Sequence, residues 1–147
     1  MTVPEAIKRI SLFINTKNEL YQFLIERDGK DIILDANREQ MFEGKRSDGS
    51  MIDPEYTPIT KDIKKQKGQP DDRVTLKDTG DFYDAMFTQK ENNETFIISS
   101  DDEKTQKLLE KYDVKGTLFG VPDTKKEGVR TKLMSKLRDY FRMYTNF

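Results

Sequence analysis

The sequence predicts an α+β fold, with a small antiparallel sheet, N-terminal helices and a long C-terminal helix packed on the sheet. Capping residues followed by apolar side chains three and four residues apart recur near both ends of the chain. Between them, residues 87–90 and 94–99 flank Asn92-Asn93 and are typical of a β-hairpin. No stretch has the composition of a linker, so we expect a single structural domain over residues 1–147.

Two short helices are predicted at the start of the chain. Each has a capping box, in which a Thr precedes a Glu by three residues: Thr2 with Glu5, and Thr16 with Glu19. The apolar stripe of the second helix is Leu20, Phe23 and Leu24, and Asp28-Gly29 is a turn signal that ends it.

The secondary structure of residues 31–42 is ambiguous from the sequence. Ile32 to Leu34 suit a buried strand, whereas Ile33, Ala36, Asn37 and Gln40 suit one face of a helix, which we favour.

The middle of the chain alternates turns and short elements. Residues 44–54 are predicted to be a loop or hairpin around Asp48-Gly49, and Thr57-Pro58 begins a basic helix over 59–67. Residues 73–76 alternate polar and apolar side chains and are predicted as a strand, followed by a turn at 78–81 and a helix at 82–86. After the hairpin, Ser99 or Ser100 is predicted to open a helix, and residues 116–122 to be extended or looped.

The last element carries the longest helical pattern. Thr124 with Glu127 forms a third capping box, and a helix over 124–144 would be about 31 Å long. Its apolar positions are Val129, Leu133, Met134, Leu137, Tyr140, Phe141 and Tyr144. We expect this stripe to be buried, as are Phe82, Tyr83 and Phe119.

Composition limits the function. Charged residues make up 36% and hydrophobic residues 34% of the chain, yet 26 basic and 27 acidic residues nearly cancel. Together with 9 Phe and 6 Tyr, this balance indicates a folded domain with an aromatic core and a wide polar surface. The chain has no Cys and no His, which excludes thiol nucleophiles, Cys/His zinc sites and the usual neutral-pH general base. We also expect no secretory signal and no membrane span, and a soluble protein made and used in the cytoplasm.

Two groups of charged residues remain as candidates for chemistry. Asp101-Asp102-Glu103 suits a hard cation, but compensation of a helix N-terminus is the stronger interpretation. The basic segments 61–77 and 130–142 suit a nucleic-acid-binding or regulatory module, although the pI of about 5.7 disfavours it. Neither provides a catalytic constellation, so we expect neither an enzyme nor a cofactor.

One ordered series of residues has a familiar pattern. It runs from Gln40-Met41-Phe42-Glu43-Gly44 through Asp48-Gly49 to Pro54-Glu55-Tyr56-Thr57-Pro58, then through a lysine cluster and Gly68-Gln69-Pro70 to 75–83, TLKDTGDFY. The series, over about residues 40–86, resembles the virion-morphogenesis or tail-completion (head-tail connector) proteins of tailed phages. The stretch 74–83 is similar to proteins of phages and prophages of Bacteroidetes hosts, with the crAss-like group as one candidate. Phe82 and Met86 depart from the Leu and Ser usual after the Thr-Gly pair, and residues 116–122 only partly match a later Gly-Thr and Pro element.

The resemblance implies a structural protein of the virion, assembled in the host cytoplasm, with no catalysis. It implies a ring of about six or twelve copies at the neck or tail end, with portal, adaptor or tail-tube proteins as partners and nucleic acid contacted at most indirectly. The residues themselves suggest that Gly80 permits a positive φ or a close backbone approach and that Thr79 caps the next helix, and an ordinary turn explains the pair equally well. The candidate assembly residues are Gln40, Phe42, Gly44, Tyr56, Lys64, Leu76, Thr79, Gly80, Phe82 and Tyr83.

Overall fold

The computed structural model describes residues 2–5, 7–8, 17–92 and 95–145. The elements in this part of the chain are α1 Lys17–Glu26, α2 Lys30–Phe42, α3 Pro58–Gln66, α4 Asp81–Asp84, β1 Met86–Lys90, β2 Phe96–Ser100, α5 Thr105–Tyr112 and α6 Asp123–Thr145. The α+β class is confirmed, with the antiparallel sheet in the middle and the longest helix at the end.

The first capping box forms as the sequence predicts. The Glu5 carboxylate accepts hydrogen bonds from the Thr2 backbone N–H at 2.8 Å and from its hydroxyl at 2.9 Å, and residues 3–5 and 7–8 are helical. The second box includes Thr16, which lies outside the described residues. The helix after it, α1, is confirmed and buries Phe23 and Ile25.

The ambiguous segment 31–42 is helical. Within α2, the face formed by Ile33, Ala36, Asn37 and Gln40 is buried, as are Leu34 and Met41. A strand would point alternate side chains to opposite sides, whereas burial here recurs every three or four residues. The helical spacing of Ile33, Ala36, Asn37 and Gln40 therefore predicted the correct element.

The sheet is the predicted hairpin. Strands β1 and β2 pair antiparallel, from Met86 opposite Ser100 to Lys90 opposite Phe96. An isolated two-stranded hairpin is marginally stable in water. Helices α1 and α2 both pack on β1. The Thr88 hydroxyl donates a hydrogen bond to the carbonyl oxygen of Ile25 in α1, which ties the strand to that helix.

The main core gathers residues from loops as well as from helices. Its buried members are Leu34, Met41, Ile52, Val74, Leu76, Phe82, Tyr83, Met86, Tyr112 and Leu118. Four of them, Ile52, Val74, Leu76 and Leu118, lie outside the helices and strands. The irregular segments are thus part of the core rather than a covering over it.

Helix α6 lies at the surface. It contacts α2 and α1, the two helices that also pack on β1. Between 123 and 143 no side chain is fully buried, and half-buried positions recur in one stripe that includes Val129, Leu133 and Leu137. Met134, which we expected in the stripe, is 50% exposed because it lies to one side of it. The Tyr144 side chain lies outside the described residues.

Four of the predicted elements are absent or misplaced. The helix predicted over 82–86 is α4, which ends at Asp84, and Met86 belongs to β1. Residues 73–76 form no strand, although 74–76 are buried. The helix predicted from Ser99 or Ser100 begins only at Thr105, because both serines belong to β2. The Thr124–Glu127 box is not a cap, since α6 begins at Asp123 and the N–H groups of the first turn donate to the Pro122 carbonyl.

Candidate functional site

A cavity of about 280 Å³ lies between α3, the segment 76–82 and α5. Its apolar wall is formed by Ile63, Leu76, Phe82, Leu108 and Tyr112, and charged side chains surround the opening. Six of the ten candidate assembly residues line it: Tyr56, Lys64, Leu76, Thr79, Gly80 and Phe82.

The other four candidates lie elsewhere. Phe42, which is 38% exposed, and the buried Tyr83 line a second depression, next to Arg38 and Lys77. Gln40 and Gly44 lie in the interior. The side-chain amide of Gln40 donates to the Leu118 carbonyl oxygen at 2.9 Å. Gly44, with a φ of +76°, lies so close to Arg73 that an added Cβ would be 2.9 Å from its Cβ.

Lys64 is the notable residue of the cavity because it is charged and only 6% exposed. Its ammonium donates to the carbonyl oxygen of Lys77 at 2.8 Å and to Oε1 of Gln69 at 3.2 Å. It also lies 5.0 Å from the centroid of the Tyr56 ring, within the range of a cation–π contact. Among the described residues, no carboxylate pairs with it within 4.0 Å. The positive charge is therefore held by neutral groups.

The sequence places Lys64 inside through the register of α3. Thr57 is the N-cap residue of the helix: its hydroxyl accepts from the Thr60 N–H at 3.3 Å, and Pro58 lies in the first turn. Thr60, Lys64 and Lys67 then recur at steps of four and three on the side that faces the cavity. Lys61 and Lys65 point to solvent, where they pair with Glu55 and Asp71.

The loop after α3 closes over the ammonium. Gln69 accepts from Lys64, and its side-chain N–H donates to the Asp78 carbonyl oxygen at 2.7 Å. The Lys67 ammonium lies 2.6 Å from Oδ1 of Asp78. The hydrogen bond from Lys67 is the main cause that lowers the pKa of Asp78, and the charges of Lys64 and Lys104 lower it further. Asp78 thus experiences a positive potential from three lysines that line the cavity.

Two tyrosine hydroxyls hold the wall at residues 75–76 in place of a strand neighbour. The Tyr56 hydroxyl accepts from the N–H groups of Thr75 at 3.1 Å and Leu76 at 3.0 Å. The Tyr83 hydroxyl donates to the Thr75 carbonyl oxygen at 2.6 Å. Leu76 adopts a φ of +56°, which few residues other than glycine tolerate, so these bonds fix a backbone that would otherwise be unfavourable.

At the start of α4, the roles of Thr79 and Gly80 differ in part from those that we expected for them. Gly80 has a φ of +99° and is itself the N-cap residue of α4, which has no side-chain cap. Thr79 is therefore not the N-cap residue, although its hydroxyl accepts from the backbone N–H of Asp81, the first residue of α4, at 3.4 Å. The same hydroxyl donates to the Asp81 carboxylate, with the two oxygens 2.7 Å apart.

In the described ranges, no group of three or more Asp or Glu residues could hold a metal ion. Asp102, from the acidic run, accepts at 2.9 Å from the backbone N–H of Lys104, just before α5 begins. Across the same residues, no helix is long and apolar enough to span a membrane. The cavity offers an apolar wall and one buried cation.

Comparisons with protein-family models, with curated proteins and with solved structures found nothing that matches this chain. The resemblance to phage connector proteins therefore stays a prediction from residues 40–86.

Sequence reasoning missed the far wall of the cavity. Leu108 and Tyr112 lie on α5, and nothing in the sequence indicates that they face α3. For Lys64 the sequence gives a weak indication, because Lys64 comes four residues after Thr60 and therefore lies on the same side of α3. Periodicity in so short and polar a helix is too weak to identify it.

Proposed function

We propose that the chain is a non-enzymatic structural subunit of a tailed-phage particle, part of a ring at the head-to-tail connector, neck or tail end. The resemblance over residues 40–86 supports this placement. The proposed partners are further copies of the chain and a portal, adaptor or tail-tube protein. Assembly would take place in the host cytoplasm, and the finished protein would belong to the virion.

The single observation that carries the proposal is the exposure of α6. The helix has 23 residues, which corresponds to a length of about 34 Å. One half-buried stripe joins it to α2 and α1, and the remaining sides, including Met134, face solvent. A helix with so little intramolecular burial has a large surface for contacts with other chains. In a closed ring, such contacts are heterologous.

Size-exclusion chromatography with light scattering, on the chain alone and with the neighbouring portal and tail proteins, tests the proposal. We expect a closed oligomer in at least one of these mixtures. A variant Met134→Glu should weaken association by at least about tenfold, because it places a carboxylate in the interface. Ile97→Glu is the matched control, since Ile97 is similarly exposed, at 41%, but lies on the hairpin. A chain that stays monomeric with every component would contradict the proposal.

One observation favours a second candidate, a nucleic-acid-binding or regulatory module. On α6, no described carboxylate pairs with Arg130, Lys132, Lys136 or Arg138. The segment 61–77 supports this candidate less, because Lys61, Lys65, Lys67 and Arg73 each pair with a carboxylate. If the chain binds duplex DNA through α6 alone, the logarithm of its binding constant should fall with the logarithm of the salt concentration. The slope should be no steeper than about −4. An electrophoretic mobility shift assay in which the chain does not retard DNA at low salt would contradict this second candidate.

A further inference from the structure

We propose that the cavity beneath α3 binds a carboxylate attached to an apolar body, with the carboxylate against the Lys64 ammonium and the body against Leu76, Phe82 and Leu108. This inference goes beyond the proposed function and does not depend on it.

The ammonium is the recognition element. A lysine has three N–H donors, and Lys64 uses two of them, on the Lys77 carbonyl and the Gln69 amide oxygen. Burial of a charge is costly unless it is paired. Because both acceptors are neutral, an anion at the third N–H would gain a charge-assisted hydrogen bond in a site largely removed from water.

Among the lysines that line the cavity, Lys64 is buried, whereas Lys67, Lys77 and Lys104 are exposed to water. Asp78 is paired with Lys67, Asp81 accepts from Thr79, and Asp102 accepts from a backbone N–H. Lys77 lies 5.6 Å from the ring centroids of both Phe42 and Tyr83, in the neighbouring depression.

Size and wall composition define the rest of the ligand. The volume of 280 Å³ is just below the range of about 300–1,000 Å³ of most ligand pockets, so a body the size of one aromatic or branched side chain is expected. Leu76 and Phe82 are buried parts of the core, which makes this wall rigid, and Leu108 closes the opposite side. Rigid walls favour a preformed site.

Two sources share this chemistry. A free monocarboxylic acid with a ring or branched chain presents it, and so does a peptide segment in which Glu or Asp stands next to an apolar residue. Ile63 lines the cavity, and Ile59 lies four residues before it on α3; both are exposed and would extend the contact for a peptide but not for a small acid.

The test measures the binding of phenylacetate and of its neutral analogue phenylacetamide. Binding is monitored through the backbone amide chemical shifts in nuclear magnetic resonance spectra of the full chain. We expect saturable shifts at residues 64 and 76–82 with phenylacetate, and at least about tenfold weaker binding of the amide. Lys64→Met should weaken phenylacetate binding to a similar degree. Lys65→Met is the matched control, because Lys65 lies on the exposed side of the same helix.

A second variant covers the case in which Lys64→Met does not fold. Leu108→Trp keeps the lysine and fills the cavity from α5, and it should also abolish the shifts. A short peptide with an acidic residue next to Phe distinguishes the sources: tighter binding than phenylacetate indicates a protein partner, and weaker binding a free acid. No saturable shift, equal binding of acid and amide, or full binding by both Lys64→Met and Leu108→Trp would overturn the proposal.

Discussion

The hydroxyl of Tyr83 donates a hydrogen bond to the backbone carbonyl oxygen of Thr75, and the two oxygens lie 2.6 Å apart. Both residues are buried, and the Thr75 N–H is bound in turn by the Tyr56 hydroxyl. The backbone groups of residues 75–76 thus bond to tyrosine side chains instead of to a neighbouring strand. Side-chain hydrogen bonds meet the requirement that every buried backbone group has a partner.

Tyr83→Phe should lower the free energy of unfolding by about 1–3 kcal/mol, because it leaves the buried Thr75 carbonyl without its partner. Urea denaturation followed by circular dichroism measures this loss. Tyr21→Phe is the matched control, since among the described residues the Tyr21 hydroxyl has no hydrogen-bond partner. A loss in the control as large as in Tyr83→Phe would show that the Tyr83 bond contributes nothing specific.

The same pair predicts a pH dependence. Burial raises the pKa of Tyr83 above its ordinary value of 10.0. A raised pKa contributes stability that is present below pH 10 and is lost as the pH rises further, because the unfolded phenol ionises first. The stability difference between wild type and Tyr83→Phe should therefore shrink above about pH 10, and denaturation in a series of alkaline buffers measures it. A constant difference would contradict the assignment.

Gly80→Ala tests the backbone at the N-terminus of α4. The φ of +99° is unfavourable for any residue with a Cβ, and the change should cost about 1–2 kcal/mol. Gly128→Ala, within α6, should instead stabilise the protein by about 0.5–1 kcal/mol, because an added Cβ there meets nothing within 4 Å. Thermal melts of the two variants should shift in opposite directions. Shifts of the same sign would refute the explanation.

Gln40→Leu tests the buried amide that joins α2 to the loop before α6. The variant keeps the volume and removes the donor to the Leu118 carbonyl, so it should cost about 1–3 kcal/mol. Gln66→Leu, at an exposed position in α3, should change the free energy of unfolding by less than about 0.5 kcal/mol. If both variants unfold at the same urea concentration, the amide has no structural role.

Lys125 attaches the start of α6 to α2, with its ammonium 3.0 Å from the Glu39 carboxylate and 3.2 Å from that of Glu43. The hydrogen bond from Lys125 lowers the pKa of Glu43 below its ordinary value of 4.5. A lowered pKa gives stability that is present above pH 4.5 and is lost as the pH falls through the folded value.

We therefore expect Lys125→Met to cost up to about 1 kcal/mol at neutral pH, since the glutamates are half-exposed, and much less near pH 3. Denaturation at a series of acidic pH values measures the difference. Lys132→Met should show no such trend, because no described carboxylate lies within 4.0 Å of the Lys132 ammonium. A cost that stays constant with pH would mean that Lys125 stabilises the protein only through packing.

Local pattern predicted several elements correctly because the residues that define them are close in sequence. The Thr2–Glu5 capping box, the turn at Asp28-Gly29 and the hairpin each depend on interactions over a few residues. The predicted strand at 73–76 failed for the opposite reason. Its backbone groups bond to the hydroxyls of Tyr56 and Tyr83, which reach it from other segments, and not to a neighbouring strand.

The candidate site shows the same division. The resemblance drew attention to Tyr56, Lys64 and Gly80, but the cavity also needs Leu108 and Tyr112 from α5. No pattern within α3 or within α5 states that the two helices face each other. Arg46 is a similar case: it lies in a predicted loop, yet it is 2% exposed, and its guanidinium pairs with Asp53 and with Asp113, which is 67 residues away.

The sequence by itself determined the α+β class, the helical pattern of 124–144 and the exclusion of thiol and imidazole chemistry, since these follow from composition and from interactions between near neighbours. Only the tertiary structure decided that Lys64 is buried beside an apolar cavity and that α6 leaves most of its surface exposed. Burial is a property of the packed chain. Whether a lysine on a polar helix reaches water depends on segments tens of residues away, which the local pattern does not encode.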